Sequence, residues 1–312
     1  MVYDLIIVGG GPAGVAAGVY AARKRLKTLL ITYDFGGQSS VSADIQNWVG
    51  NTNISGEELA KKLKAHLFAY QNDTDFFIKE GIKIEQVARS ETGQNFTIKL
   101  DSGESAEARA VLITTGAERR KLTVPGAKEF EQKGITYCAT CDGPLFADQD
   151  VLVIGGGNAA FETSAQLLAY CKSVTLVHRS ETFRADEITV EKIKQNSKMK
   201  LITNAELLEF KGEKFVSSLI YKDLKTGEIK ELKTTGVFVE IGLVPTTWFV
   251  KDLVNLTDNG AVVVDPRTQA SSIAGVWAAG DCTDGLYHQN NIAAGDAVKA
   301  LENIYQYLHH NS

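Results

Sequence analysis

Tyr3-Asp-Leu-Ile-Ile-Val8-Gly9-Gly-Gly-Pro-Ala-Gly14 decides the fold of this chain. A short apolar run bounded by glycine predicts a buried parallel strand, and Gly9-x-Gly11-x-x-Gly14 is the turn that leads from it into a helix. The expected helix covers Val15 to Arg25, and Thr28-Leu-Leu-Ile-Thr32 supplies the second strand of a βαβ unit. In such a turn the glycines let the backbone bend tightly and approach a pyrophosphate. They also let the helix pack on the strand with its N-terminal amides facing the phosphates.

The pattern recurs from Asp150. Val151 to Ile154 predicts a strand, Gly155-Gly156-Gly157 a turn, Ala159 to Tyr170 a helix, and Ser173 to His178 the next strand. A single glycine turn is weak evidence, whereas two copies in matching βαβ contexts imply two dinucleotide sites. Between and after them, Gly56 to Tyr70 has helical spacing, and Ile82 to Leu100 reads as antiparallel strands. Leu207 to Glu240 also reads as antiparallel strands, turning at Lys225-Thr-Gly-Glu228. Gly275 to Asp281 reads as a strand running into a turn, and Ile292 to Leu308 as the last helix. The fold class is therefore α/β, with two Rossmann-like dinucleotide-binding domains, the second inserted in the first.

Bulk properties narrow the function. The 312 residues suffice for two domains, and 44% apolar with 23% charged residues is ordinary globular composition. A net charge of −5 leaves no basic excess for a nucleic-acid partner. Arg119-Arg120-Lys121 reads as a solvated loop rather than a basic tract. No run approaches the ~20 apolar residues of a membrane span. Met1 to Gly10 lacks the positive flank of a signal peptide, so a cytoplasmic location is expected.

Four cysteines remain, and only Cys138-Ala-Thr-Cys141 forms a local motif. Zinc would call for a second Cys/His pair at ligand spacing, so no metal is expected. A chain that builds its own core needs no disulfide staple. A redox dithiol is the reading that stays, with Cys171 and Cys282 as small buried residues. Asp142 follows directly, either as a general acid for a leaving thiolate or as a helix cap.

Other polar residues keep two readings. Asp34, ~20 residues past Gly14, stands where a ribose-binding carboxylate is expected, and it also reads as a turn residue two positions past the strand. Gly280-Asp281 suits a contact to a flavin's ribityl chain, and Asp281 also suits an N-cap. His178-Arg179-Ser180-Glu181-Thr182-Phe183-Arg184 follows the second unit's strand, where a dinucleotide's 2′ position falls. Arg179 and Arg184 favour a 2′-phosphate, and Glu181 complicates that preference.

With both turns and the dithiol in view, the chain resembles the low-molecular-weight, bacterial type of thioredoxin reductase. Its relatives include the flavoprotein subunit of alkyl hydroperoxide reductase. The landmarks are Gly9 to Gly14, Gly36-Gly-Gln38, Asn47-Trp48, Thr115-Gly-Ala117, Cys138-Ala-Thr-Cys-Asp142, Gly155-Gly-Gly-Asn158, His178-Arg179, Phe183-Arg184, Gly280-Asp281 and His288-Gln289. The resemblance implies an FAD domain of residues 1–117 and 245–312. It also implies an NAD(P)H domain at 118–244 carrying the dithiol, a homodimer, and rotation of one domain against the other. Positions matching FAD contacts are Gly9, Gly11, Pro12, Ala13, Gly14, Gly36, Gly37, Gln38, Asn47, Ala117, Gly280, Asp281 and Gln289. Asp34, Val87, Thr115, Gly116, His288 and Asn290 complete the expected flavin surroundings. Gly155, Gly156, Gly157, Asn158 and Ala159 match the nucleotide turn, with His178, Arg179 and Arg184 at its 2′ end.

The implied activity runs from NADPH through FAD to the Cys138–Cys141 disulfide and on to a thioredoxin-like protein. Cys141 would face the flavin, Cys138 would attack the partner, and Asp142 would act as the acid. Ser180 replaces a usual second arginine, which keeps NADH open as donor. His288 and Asn290 replace a usual arginine and alanine, and Gln71 to Gly81 is longer than usual. Other occupations of the same scaffold are a ferredoxin-fed reductase, a peroxiredoxin- or glutaredoxin-directed reductase, and a dithiol oxidase. A regulatory module switched by nucleotide is the reading from outside enzymology.

Overall fold

The run Leu5 to Val8 is wholly buried because the strand containing it, Val2–Gly10, lies inside a sheet covered on both faces. A computed structural model describes residues 1–41, 45, 47–91, 93–137 and 139–310. The chain forms two units, Met1–Glu118 with the chain from Val244 onward, and Arg119–Leu243. It crosses between them in two short strands, Ala117–Arg119 and Leu243–Pro245, which pair with each other. Among the described residues no helix is long and apolar enough to cross a membrane.

In the first unit, Val2–Gly10 pairs in parallel with Thr28–Phe35 on one edge and Ser105–Ile113 on the other. Phe76–Glu80 continues the parallel order beyond Thr28–Phe35. The far edge of Ser105–Ile113 is shared. Phe96–Leu100 runs antiparallel along its beginning, and Val276–Ala278 runs parallel along its end. Helices Pro12–Arg23 and Asn290–His310 cover one face, where Ala17 and Ala21 share a core with Ala297, Ala300 and Ile304. The small side chains allow close approach of the two helices. The other face buries Ile6, Val8, Ile31 and Val111 against Phe249, Val250 and Val254.

The second strand runs to Phe35 rather than ending at Thr32. Gly10 pairs with Phe35 past a bulge, and Thr32 Oγ1 donates to Asp34 O, so polar residues continue an apolar strand. Asp34 thus belongs to the strand and not to a turn beyond it.

The second unit carries a parallel sheet in the order Met199–Ile202, Ser173–Val177, Asp150–Gly155, Gly236–Glu240, Ile135–Thr136. A separate antiparallel sheet comprises Ala205–Gly212, Val216–Asp223 and Ile229–Lys233. The antiparallel reading of Leu207 to Glu240 therefore holds only as far as Lys233. Val237, Phe238 and Val239 are all buried, and that continuous run joins the parallel sheet beside Asp150–Gly155.

Candidate functional site

The three glycines of the first turn are required for different reasons. Gly9 has φ +119°, and a Cβ on it would fall 2.4 Å from Thr114 O; on Gly14 it would fall 1.9 Å from Gly9 O. A Cβ on Gly11 would meet nothing within 4 Å. Two glycines therefore lock the turn, and the third presents bare backbone outward. Helix Pro12–Arg23 begins there with proline in its first turn and no side-chain cap, so its leading amides face a ligand position.

A cavity of about 650 Å³ opens at this point. Of the expected positions, Gly9, Gly11, Pro12, Ala13, Asp34, Gly36, Gly37, Gln38, Thr115, Gly116, Ala117, Gly280, Asp281 and Asn290 line it. Gly36 has φ +93° and packs on Ala60, while Gly37 brings the loop over Gly11. Gly280 has φ +80°, and a Cβ there would sit 3.1 Å from Ala293 and 3.5 Å from Ala13. Gly280-Asp281 is thus seated between the starts of two helices. A bare-backbone turn, two helix starts and a carboxylate on either side fit a dinucleotide cofactor of FAD type.

Asp281 Oδ1 lies 3.5 Å from His288 Nδ1, and this contact raises the imidazole pKa above its ordinary value against the effect of burial. Asn47 Nδ2 donates to Gln289 Oε1 at 3.0 Å, Asn291 Nδ2 to Asn47 O at 2.6 Å, and Ser39 Oγ to Asn290 Oδ1 at 2.7 Å. Asn47, His288 and Gln289 therefore brace the segments bordering the cavity without lining it. Gly14 lies behind the turn. Val87, 3% exposed, belongs to the hydrophobic core and not to the cavity wall. Sequence reading missed Tyr33, Lys83, Thr246 and Trp248, which do line the cavity. Lys83 Nζ stands 4.5 Å from the centre of the Tyr33 ring, joining two segments that share no motif.

The second turn repeats the division of labour. A Cβ on Gly155 would fall 2.2 Å from Glu240 O and one on Gly156 2.3 Å from His178 Nδ1, whereas Gly157 is clear within 4 Å. Helix Asn158–Leu168 starts from Gly157 without a side-chain cap, and Asn158 and Ala159 are exposed. The loop of the 2′ end is pinned to this turn, since Arg184 N donates to Gly156 O at 2.8 Å and Asp186 N to Asn158 Oδ1 at 2.8 Å. His178 Nε2 lies 3.1 Å from Thr182 O, and burial lowers the imidazole pKa below its ordinary value. The same backbone-clear glycine and uncapped helix fit a pyridine nucleotide.

Glu240 ends the interior strand Gly236–Glu240 and pairs with Gly155. Thr163 Oγ1 donates to its Oε1 at 2.9 Å, and Arg119 Nη1 lies 3.6 Å away. Burial nevertheless pushes the Glu240 carboxyl up in pKa, outweighing the attraction of Arg119. The basic triplet is thus not simply solvated, because Arg119 faces Glu240 and Lys121 pairs with Glu131.

Around the dithiol, Cys138 lies outside the described residues, as does the side chain of Cys141. Asp142 ends helix Ala139–Asp142 and precedes a 3-10 turn, Gly143–Phe146. Its carboxylate makes no capping bond; Oδ2 accepts from Thr136 Oγ1 instead. The capping reading is thereby corrected, since a neighbouring strand hydroxyl and not a helix amide holds the group. Cys171 and Cys282 are both fully buried. Burial raises the Cys171 thiol and pushes that of Cys282 up to about 11, so neither supplies a thiolate near neutrality.

Comparison with known proteins agrees with this architecture. The family model for pyridine nucleotide-disulphide oxidoreductases matches residues 3–297. Thioredoxin reductase of Lactococcus lactis superposes with a TM-score of 0.86 at 34% identity, covering 99% of each chain. That of T. acidophilum gives 0.83 at 36% identity, covering 100% of this chain and 99% of the other. Among curated proteins, an alkyl hydroperoxide reductase subunit of Staphylococcus aureus (strain MRSA252) is 37% identical over 309 residues, 99% of this chain and 60% of its own length. An NADH dehydrogenase of Bacillus subtilis (strain 168) is 36% identical over 309 residues, 99% of this chain and 59% of its own. The chain thus spans about three fifths of these curated relatives. The family implies binding of FAD and of a pyridine nucleotide. Fold, turns and full-length likeness together show that the chain belongs to the pyridine nucleotide-disulphide oxidoreductases, within the low-molecular-weight thioredoxin reductase family.

Proposed function

We propose that the protein uses NADPH to reduce, by way of FAD, a disulfide between Cys138 and Cys141, and passes the electron pair to a thioredoxin-like protein. In balance, NADPH, one proton and a partner disulfide give NADP⁺ and a partner dithiol. When bound, FAD supplies the hydride-accepting and two-electron-donating chemistry that side chains lack. The observation that carries this reading is the pairing, in one chain, of a cavity of about 650 Å³ at the first glycine turn with a second turn in the unit that bears Cys138-Ala-Thr-Cys141-Asp142.

The residues divide the work by chemistry. Gly9, Gly11 and Gly14 with the amides of helix Pro12–Arg23 hold pyrophosphate, Asp34 takes ribose hydroxyls, and Asp281 takes a ribityl hydroxyl. Gly155, Gly156 and Gly157 do the same for the pyridine nucleotide, with Arg179 and Arg184 at its 2′ end. Cys141 is the sulfur that accepts electrons from the flavin side. Cys138, as thiolate, attacks one partner sulfur and forms a mixed disulfide. Cys141 then attacks Cys138 in that mixed disulfide, which restores the internal disulfide and frees the partner dithiol. Asp142, fixed by Thr136, protonates the departing thiolate. The two units act as FAD and NAD(P)H domains, one rotating against the other, within a cytoplasmic homodimer.

One observation favours a second reading. Ser180 stands beside Arg179, and curated relatives include an NADH dehydrogenase and a subunit of alkyl hydroperoxide reductase. NADH as donor and a peroxiredoxin-type acceptor are therefore the alternative. Turnover with NADPH and with NADH, each against thioredoxin-, glutaredoxin- and peroxiredoxin-type partners, separates the two. NADPH with thioredoxin giving the highest kcat/KM is the expected result. A preference for NADH, or no turnover of any thioredoxin, overturns the first reading.

A further inference from the structure

The loop at the 2′ end of the second turn carries both signs of charge, Arg179, Glu181 and Arg184. Arginines there suit a 2′-phosphate, while an acid suits a bare ribose. A third element removes the conflict. Lys225 Nζ lies 2.5 Å from Glu181 Oε1, and the contact holds the Glu181 carboxyl below the usual carboxylate range. Arg179 and Arg184 are exposed and pair with no carboxylate among the described residues.

Lys225 is delivered by a built turn rather than by a loose side chain alone. Asp223 Oδ1 accepts from Lys225 N at 2.9 Å and Thr226 N at 3.3 Å, and Asp223 O accepts from Gly227 N at 2.7 Å. Gly227 has φ +77°, which closes the turn. Lys230 Nζ, 2.7 Å from Asp223 Oδ2, holds the same aspartate from the next strand. Two backbone bonds then reach the nucleotide loop: Leu224 N donates to Asn204 O at 2.8 Å, and Asn204 N donates to Ser180 O at 3.3 Å. The hairpin turn is thus stitched to the residue preceding Glu181.

We propose that Lys225 is a specificity-determining residue for a 2′-phosphorylated adenosine nucleotide, acting by occupying Glu181 so that Arg179 and Arg184 stand unopposed. The inference rests on reading the second unit as the pyridine-nucleotide unit. A released Glu181 carboxylate would repel a 2′-phosphate and offer an acceptor to a 2′-hydroxyl. Because the pair is exposed, its effect is a few-fold and weakens with salt.

The test is calorimetric titration of the FAD-loaded protein with adenosine 2′,5′-bisphosphate and with adenosine 5′-monophosphate. Lys225→Met should weaken the bisphosphate about three- to fivefold without weakening the monophosphate. Adding Glu181→Gln to that variant should restore the bisphosphate affinity. An unchanged bisphosphate affinity in Lys225→Met overturns the proposal, as does a loss that Glu181→Gln fails to repair, which would make Lys225 a direct phosphate ligand. Wild-type protein that binds neither probe overturns the nucleotide reading of the unit and this proposal with it. Wild-type binding with an indifferent Lys225→Met overturns this proposal alone.

Discussion

The two glycine turns share one local design and differ in their surroundings. Each has two glycines locked by packing and one, Gly11 or Gly157, clear for backbone approach. Around Gly11 the wall comes from distant segments, including Asp34, Gly36, Lys83, Thr246, Trp248 and Gly280. Around Gly157 the neighbours Asn158, Ala159, Arg179 and Arg184 are exposed. Matching positions also differ chemically. Ile113 pairs with Val8, which sets Thr114 beside Gly9, and Thr114 Oγ1 donates to Val8 O at 2.8 Å. The corresponding neighbour of Gly155 is Glu240, an acid held mostly away from water. A walled turn suits a resident cofactor, and an open one suits a nucleotide that must enter and leave at each turnover.

The largest effect is expected where the sulfur chemistry is separated from both turns. Asp142→Asn should leave flavin content and bleaching by NADPH intact while slowing partner reduction by about 10²–10⁴-fold, the range of a positioned general acid. Stopped-flow absorbance and steady-state turnover together check this. Unchanged partner reduction would remove Asp142 from the mechanism.

Methyl groups at the two clear glycines probe the comparison itself. Gly11→Ala should fold, since the added Cβ meets nothing within 4 Å, yet lose FAD affinity by roughly 10–200-fold, the cost of one methyl against a bound ligand. Gly157→Ala should keep its flavin and weaken NADPH to a similar degree. Flavin-to-protein absorbance ratios and NADPH titrations decide the matter. Flavin loss in Gly157→Ala, or none in Gly11→Ala, would break the assignment of resident and exchanging sites. Gly14→Ala differs from both, because its Cβ would fall 1.9 Å from Gly9 O and destabilise the first unit by about 3 kcal/mol.

The smallest effect concerns Glu240. Its folded pKa is raised above the unfolded value of about 4.3, so the folded state prefers the protonated acid. Stability is fully retained below the unfolded pKa and falls as pH rises towards the folded one. Glu240→Gln should therefore match the wild type near pH 4 and exceed it at pH 8 by about 2 °C in Tm. Calorimetric scans across that range check the sign. A variant less stable at pH 8 than the wild type would show that Arg119 outweighs burial.

The turns were legible because a glycine forced by packing leaves a fixed spacing, as Gly9, Gly14 and Gly155 show. The strand 28–35 outruns its apolar residues because Tyr33 and Asp34 sit in the bulge between the pairs Val8–Ile31 and Gly10–Phe35, which carries no apolar signal. Gly236–Glu240 was drawn into the wrong sheet because its neighbour, Asp150–Gly155, is remote in sequence. Tyr33, Lys83 and Trp248 lay beyond reach for a similar reason: each comes from a separate element, with no spacing to relate them. The cap reading of Asp142 fails on Thr136, a contact that exists only once strand Ile135–Thr136 and helix Ala139–Asp142 are placed.

The proposed route takes electrons from a pyridine nucleotide through flavin to the Cys138–Cys141 pair. Anaerobic titration of the FAD-loaded protein with NADPH, followed by flavin absorbance, tests it most directly. Full reduction of the wild type should take two equivalents of NADPH, one for the flavin and one for the disulfide, and that of Cys141→Ser a single equivalent. A wild type fully reduced by one equivalent, with the same end point in Cys141→Ser, would contradict it.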